Sequence, residues 1–302
     1  MKSFFSVCLF CASLILNAQQ EALLRPQSAG IIIHHPHFSL AYSEEHEQAY
    51  WVFYELRAEE LKGRFKRKDN FRTDASVLSG SASLSDYKAS GYDRGHLAPA
   101  ADMAFSEESM STSFLMSNMS PQAPSFNRGV WKELEALFRD WALKDGSLYI
   151  VTGPVLKKGL AQIGANGVSV PELYYKIALD WDSSNQTAIA FLLPNKKLSD
   201  NLENYIVTID SIEEITGIDF FAALDDAQEA KFESELSTFN FWKKKRLIAV
   251  GPDAEVAANF VTSDKGLPAK QAPSNSKYWL LAFLLIVLLI MFMLVYSLRK
   301  KS

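Results

Sequence analysis

The sequence predicts a mixed α/β domain rather than a doubly wound parallel sheet, followed at its C-terminal end by one membrane-spanning helix. Three observations carry that reading. Apolar β-type runs lie before and after the helical segments without the regular strand–helix alternation of a parallel fold. One stretch, "NRGVWKELEALFRDWALKDG", has the helical period, and the run Tyr278–Leu298 carries no charge.

Taken in order, the chain opens on "MKSFFSVCLFCASLILNA", Met1–Ala18, where one Lys and an apolar stretch precede a small residue before Gln19. That is the pattern of a secretory signal peptide. Leu16, at the −3 position, is a poor cleavage determinant, so the cut need not fall after Ala18. Cys11 has almost no apolar run before it, which disfavours a lipoprotein, and the absence of Arg before Arg25 disfavours a mitochondrial transit peptide. Both cysteines, Cys8 and Cys11, fall in this segment, so the mature domain must stand without disulfides. A chain of roughly 230 residues buries enough apolar surface to do so.

Strands are expected around Ile31–Ile33, Phe38–Tyr42 and Tyr50–Leu56. The cluster "HHPH" (His34, His35, His37), with His46 nearby, has no regularly spaced Cys or acidic partner. It reads as a strand-edge turn rather than a metal site. The helix from Asn127 places Val130, Leu134, Leu137 and Trp141 on one face, and Asp145-Gly146 stops it. "SLYIVTGPV", "ELYYKIALDW" and "TAIAFLLPN" are strands; a short helical region near Leu202 and a helix over "SIEEITGIDFFAAL" follow. "KKKRLIAV" closes the domain, giving it the bounds 19–251. Residues 252–277 are rich in Ala, Pro and Ser and read as a flexible tether. The run 278–298 is long enough to cross about 30 Å of hydrocarbon, with Tyr278 and Trp279 at one interface. The basic tail, 299–302, is then cytoplasmic, and the domain is periplasmic or extracellular.

The whole chain carries 31 basic and 35 acidic side chains, a net −4. Lys2, Arg299, Lys300 and Lys301 lie in the two ends and no acid does, so the exported part holds 27 basic against 35 acidic, or −8. Such a domain is no general polyanion binder. The local exception is "LKGRFKRKDNFR", Leu61–Arg72, six basic residues against one acid; taken alone it is a solvated loop, and the alternative is that Lys66, Arg67 and Lys68 meet the backbone of a polyanion.

The stretch "GYDRGHLAPAADM" sets His96 apart from the other histidines, two residues after Arg94 and next to Gly95. An imidazole titrating near pH 6.5 can take a proton from water and return it, and a guanidinium beside it suits an anionic substrate. Four letters are a weak motif. The segment that follows, "FLMSNMSPQAPSFNRGVWKELEALF", adds Ser117-Asn118, Pro121-Gln122, Asn127, Trp131 and Glu135 in gapless order. Asn127 stands four residues before Trp131 and eight before Glu135. Together with Asp93-Arg94-Gly95-His96, this resembles the DNA/RNA non-specific endonuclease family, the ββα-metal nucleases that include endonuclease G. "VTGPV" and "PELYYKIAL" look like family strands, so the likeness spans roughly Phe38 to Val250.

The resemblance implies a largely antiparallel sheet bearing a ββα-metal active-site element, and it implies roles. His96 would be the general base on the attacking water. Asn127 would be the one side chain on a Mg²⁺ ion (Mn²⁺ being the alternative), and Glu135 would orient a water of the ion's shell. Arg94 and, by its place in "NFRTD", Arg72 would hold and stabilise the phosphoryl charge, while Asn118 would help to position His96. The implied activity is hydrolysis of DNA and RNA without sequence or sugar preference, because such a site reads phosphate and not bases. Singly, Trp131 is a core residue, Asn127 a helix N-cap and Glu135 a solvated helix acid; their joint spacing carries the reading. The membrane anchor and the acidic balance are not part of the family pattern. They support a second reading, a catalytically inactive, membrane-anchored nucleic-acid-binding or surface protein of the same fold. A homodimer stays open under either.

Overall fold

Strands buried on both faces organise this domain. The computed structural model describes residues 22–63, 65–181, 186–199 and 201–234, all within one compact unit that spans residues 1–263. A second unit, 264–302, lies outside the described residues. So do the signal-like start, Arg64, "KKKRLIAV", the tether and the apolar run 278–298 with its tail. Among the described residues no helix is long and apolar enough to cross a membrane.

The strands are β1 Ile31–His35, β2 Phe38–Ser43, β3 Gln48–Arg57, β4 Asp93–His96, β5 Met119–Gln122, β6 Ser147–Pro154, β7 Gln162–Ile163, β8 Val168–Ser169, β9 Leu173–Asp180, β10 Thr187–Pro194 and β11 Ile206–Val207. Seven of them form one sheet in the order β1-β2-β3-β6-β9-β10-β11. Every neighbouring pair is antiparallel, so the fold is mixed α+β with an antiparallel sheet. β4 and β5 make a separate two-stranded ribbon, as do β7 and β8.

Period-two alternation divides the sheet into two apolar faces. Leu40, Tyr42, Val52, Tyr54, Ile150, Tyr174, Ala178 and Phe191 point to one side and pack with Leu134, Phe138 and Trp141 of a long helix. Ala41, Trp51, Phe53, Val151, Tyr175, Ile177 and Leu192 point to the other and pack with Ile209, Ile212, Phe220, Phe221 and Phe232. With both faces covered, each fully buried Leu or Phe contributes about 1.5–3 kcal/mol, and no disulfide is needed.

The helices of six residues or more among the described residues are α1 Glu107–Thr112, α2 Lys132–Asp145, α3 Ile209–Thr216 and α4 Asp226–Glu233. Helix α2 buries Leu134, Phe138, Trp141 and Ala142, and Gly146 ends it at φ +98°, its N–H bonded to the Ala142 carbonyl. The sequence places the helix start at Asn127, but the first turn, Asn127–Trp131, is a π-turn with non-helical Gly129 inside it. Helix α3 is shorter than the sequence suggests: Gly217 adopts the left-handed conformation and stops it. Beyond it Phe220 and Phe221 enter the core from a non-helical segment.

Between β3 and β6 the chain makes one long excursion, residues 58–146, that contains the β4–β5 ribbon and then α2. Sheet closure around it is tight at Gly153 on β6. A Cβ there would sit 2.2 Å from the Tyr50 carbonyl oxygen and 2.5 Å from the Tyr175 hydroxyl that donates to that carbonyl. Gly153→Ala should therefore cost about 1–3 kcal/mol. A urea titration should show a lower midpoint at unchanged slope, and a midpoint equal to wild type would show that β3 and β6 separate at no cost.

Candidate active site

The β4–β5 ribbon sets the site. Its register pairs Asp93 with Gln122, Arg94 with Pro121, Gly95 with Ser120 and His96 with Met119. Gly95 is required by packing: a Cβ would lie 2.2 Å from the buried Gln122 side chain. Ser120 ties the ribbon to the sheet, donating to Gln48 Oε1 (2.5 Å) and sharing a hydrogen bond with the Tyr174 hydroxyl (2.6 Å). Asn118, fully buried, clamps the chain just past His96: its Oδ1 accepts from Ala98 N–H (2.9 Å) and its Nδ2 donates to the Ala98 carbonyl (3.0 Å). A further bond runs from Nδ2 to the Ser113 carbonyl (2.8 Å).

His96 is 8% exposed and stands edge-on to Phe114, ring centroids 4.9 Å apart, with Phe71 at 5.8 Å. The two phenyl rings are themselves edge to face at 4.9 Å. Each carries a guanidinium, Arg94 over Phe71 (4.3 Å) and Arg67 over Phe114 (4.9 Å). Burial first, and then the charges of Arg67 and Arg94, lower the His96 pKa to about 3. Its Nε2 and the Arg94 Nε are buried without hydrogen-bond partners. Orphaned polar atoms of this kind are costly unless a ligand completes them.

Asn127 arrives from the π-turn, a distortion that recurs at functional sites. Its Nδ2 donates to Asp93 Oδ2 (2.9 Å), which commits the nitrogen and leaves the carbonyl oxygen Oδ1 as the free donor atom. Arg128 grips the same carboxylate twice, through Nε (2.9 Å) and NH2 (2.6 Å). Burial alone would raise the Asp93 pKa, but these hydrogen bonds hold it below the ordinary carboxylate range. Glu135, one turn into α2, is half-buried. Below it Asp102 accepts from Tyr54 (2.8 Å) and Arg139 (2.7 Å).

His96, Arg94, Asp93, Asn127 and Glu135 line one open cleft of about 660 Å³. Its walls carry five basic side chains, Arg67, Arg94, Arg128, Lys132 and Arg139, against the carboxylates of Asp69, Asp93 and Glu135. The cleft is locally cationic in an acidic domain. The Asn127 amide oxygen is a hard donor of the kind Mg²⁺ prefers, and no thiolate lines the cleft.

Not every expected residue arrives there. Asn118 acts on the backbone after His96 and has no hydrogen bond to the imidazole. Arg72 is not in the cleft wall; its guanidinium donates to the Ser111 (2.7 Å) and Asn70 (3.3 Å) carbonyls, tying its segment to α1. The arginine that the basic run brings to the site is Arg67, while Lys68 pairs with Glu107. The histidine cluster is structural: Pro36 and His37 form the β1–β2 turn, and His34, His35 and His46 bond to Ser39, Asp74 and Ser169. Trp131 is core. The carboxylates of Asp210, Glu213 and Glu233 lie within 4.8 Å of one another, but none lines the cleft. Of the basic run's Lys66, Arg67 and Lys68, Arg67 lines the cleft; spacing missed Arg139 and Asp102, and Asp93 stood in the motif with no sign of its grip on Asn127.

The chain is also similar to known proteins. A family profile described as DNA/RNA non-specific endonuclease matches residues 22–227. The chain is 35% identical over 211 residues to a nuclease of Nostoc sp., covering 66% of this chain and 76% of that one. It is 34% identical over 198 residues to the mitochondrial endonuclease G of Homo sapiens, covering 61% and 67%. Among solved structures, a crystal structure of the EndoG/EndoGI complex superposes with a TM-score of 0.62 at 29% identity, covering 67% of this chain and 89% of its own.

The burial of His96 has a consequence for stability. Folded, the imidazole stays neutral down to about pH 3, whereas in the unfolded chain it takes up a proton near pH 6.5. The unfolded state binds more protons below that point, so stability falls as pH drops from about 6.5 toward 3. Between pH 6.5 and 5 the wild type should lose about 1.5 kcal/mol more than His96→Gln, measured by urea unfolding. Equal losses would mean that the imidazole is protonated in place.

Proposed function

From the premise that this chain belongs to the DNA/RNA non-specific endonuclease family and is an endonuclease, we propose that it hydrolyses DNA and RNA phosphodiesters without regard to sequence or sugar, in a Mg²⁺-dependent reaction with His96 as the general base. The observation that supports this best is one cleft in which an unpartnered imidazole, two ring-stacked arginines and an oriented amide oxygen converge.

In this reading Asn127 holds Mg²⁺, or Mn²⁺ in its place, through Oδ1, and the bound ion supplies neutralisation of charge on the phosphate oxygens. Asp93 keeps the amide turned so that oxygen faces outward. Arg94 and Arg67 take the anionic phosphate; their planar forks bind its oxygens while the phenyl rings fix their positions. His96 is always neutral near pH 7 and offers a lone pair to the proton of the attacking water. Its proton affinity is low in the empty cleft. A phosphate between Arg67 and Arg94 would offset their charge and raise that affinity when a proton has to be accepted. Glu135 accepts hydrogen bonds from water in the cleft and orients it. These groups contact phosphate, so base identity has little influence.

His96→Ala should reduce plasmid and RNA cleavage by about 10²–10⁴-fold without loss of the folded state. Asn127→Ala should raise the Mg²⁺ concentration for half-maximal rate by about 10–100-fold. Wild-type rates in His96→Ala would remove the base assignment. A wild type that binds nucleic acid but cuts none with Mg²⁺ or Mn²⁺ would install the inactive binding reading instead.

We also propose, from the sequence of the two ends, that the domain works outside the cytoplasm on a membrane anchor. A nuclease without sequence preference is a hazard to its own cell, and export with a stop at 278–298 would confine it. Protease added to sealed cells should remove the domain and leave a small membrane-bound fragment. Protection until the membrane is opened would reverse the topology.

A further inference from the structure

Helix α4 ends on a carboxylate that its surroundings disfavour. Glu233 is the last residue of α4, at the negative end of the helix dipole, and it is 7% exposed. Its Oε1 is buried without a hydrogen-bond partner. Glu229, one turn earlier, adds a like charge on the same face. Lys231, the base in the last turn, donates instead to the Gln186 carbonyl (3.2 Å). The helix has little apolar surface to hold it: besides Glu233 it buries Phe232, against Phe221 and Trp181. Burying an ionised carboxylate is costly unless a cation answers it.

The Glu233 side chain points at α3. There Asp210 and Glu213, three residues apart and so on one face, each bring a carboxylate oxygen within 4.8 Å of a Glu233 oxygen and of each other. Glu213 is fixed in place, because its Oε1 accepts from the Phe220 N–H (2.7 Å). Asp210 is exposed, so water reaches the group from that side. We propose that Asp210, Glu213 and Glu233 form a structural Ca²⁺ site, separate from the catalytic cleft, that clasps α4 to α3. The span of the group decides the ion. Oxygens lie about 2.3–2.6 Å from Ca²⁺, so two of them on one ion stand up to roughly 4.6–5.2 Å apart. Mg²⁺, at about 2.0–2.1 Å, spans no more than roughly 4.2 Å and demands a regular octahedron. Ca²⁺ therefore reaches all three residues as they stand, and water on the Asp210 side completes its shell. With Asp210 open to solvent, the expected Kd is that of extracellular Ca²⁺ modules, about 10⁻⁴–10⁻³ M. None of the three residues lines the cleft, so the site does not rest on the nuclease reading.

The test uses the full chain in detergent, carrying Asn127→Ala so that this amide holds no ion in the cleft. Its thermal midpoint should rise by about 3–10 °C, relative to chelator, in Ca²⁺ at ten to a hundred times Kd. Adding Glu233→Gln keeps the shape of the side chain and removes its charge. That substitution should abolish the shift and, in equilibrium dialysis against Ca²⁺, remove one bound ion per chain. With Ca²⁺ bound, the amides of α4 should exchange with deuterium more slowly than in chelator, and Glu233→Gln should erase that difference. A shift of equal size in the Glu233→Gln chain, or no shift and no bound Ca²⁺ in its parent, would overturn the site. Should Glu233→Gln not fold, Asp210→Asn probes the same ion from an exposed position. It should raise the Ca²⁺ Kd by at least about tenfold, and an unchanged Kd overturns the proposal equally. These measurements contain no nucleic acid, so a chain that cuts nothing would refute the nuclease reading and leave them decisive.

Discussion

A two-stranded ribbon does not hold its shape alone in water, and here such a ribbon carries the histidine and one of the arginines of the cleft. Everything in the site depends on how β4–β5 is fastened. Ser120 fixes it to Gln48 and Tyr174 on the sheet, and the two hydrogen bonds between Asn118 and Ala98 fix the chain just after His96. These are buried hydrogen bonds between fully satisfied groups, which are costly to break and exact in geometry. The large sheet, covered on both faces, is the rigid body to which they connect.

Electrostatics follow from that fastening. The domain is acidic overall, yet the cleft gathers five cations, because the basic run, the ribbon and the exposed side of α2 converge there. Two of those cations rest on phenyl rings, and their field together with burial keeps His96 neutral. The same low-dielectric surroundings call for partners at the carboxylates: Asp102 is answered by Arg139 and Tyr54, and Asp93 by Arg128 and Asn127. Positioning and charge are therefore set by the same contacts.

Much of this was legible in the sequence. Strand runs on both sides of one strongly periodic helix predicted the central layers, since period two and period 3.6 are properties of the chain itself. The spacing of His96, Asn118, Asn127 and Glu135 singled out four residues, three of which meet in the cleft. The errors have physical causes. Gly129 and Gly217 interrupt helical patterns through backbone conformations that apolar periodicity does not register. Arg72 has the right neighbours in sequence, but two carbonyls capture its guanidinium and Arg67 occupies the cleft instead. A loop's local letters do not say which of its arginines faces inward.

By itself the sequence determined which elements form, which faces are apolar, and that one imidazole stands in a motif with an amide and a carboxylate at fixed intervals along the chain. Those are near-neighbour properties, fixed by spacing. Only the tertiary structure decided which groups answer one another across elements: Asp93 turning the Asn127 amide, Asn118 working on Ala98 and not on the imidazole, and the Lys176 ammonium coming to lie over the Trp131 ring. Lys176 and Trp131 are far apart in the chain and meet because the helical segment packs across the sheet. Whether a charge is buried beside its opposite depends on such packing, and near-neighbour spacing does not encode it.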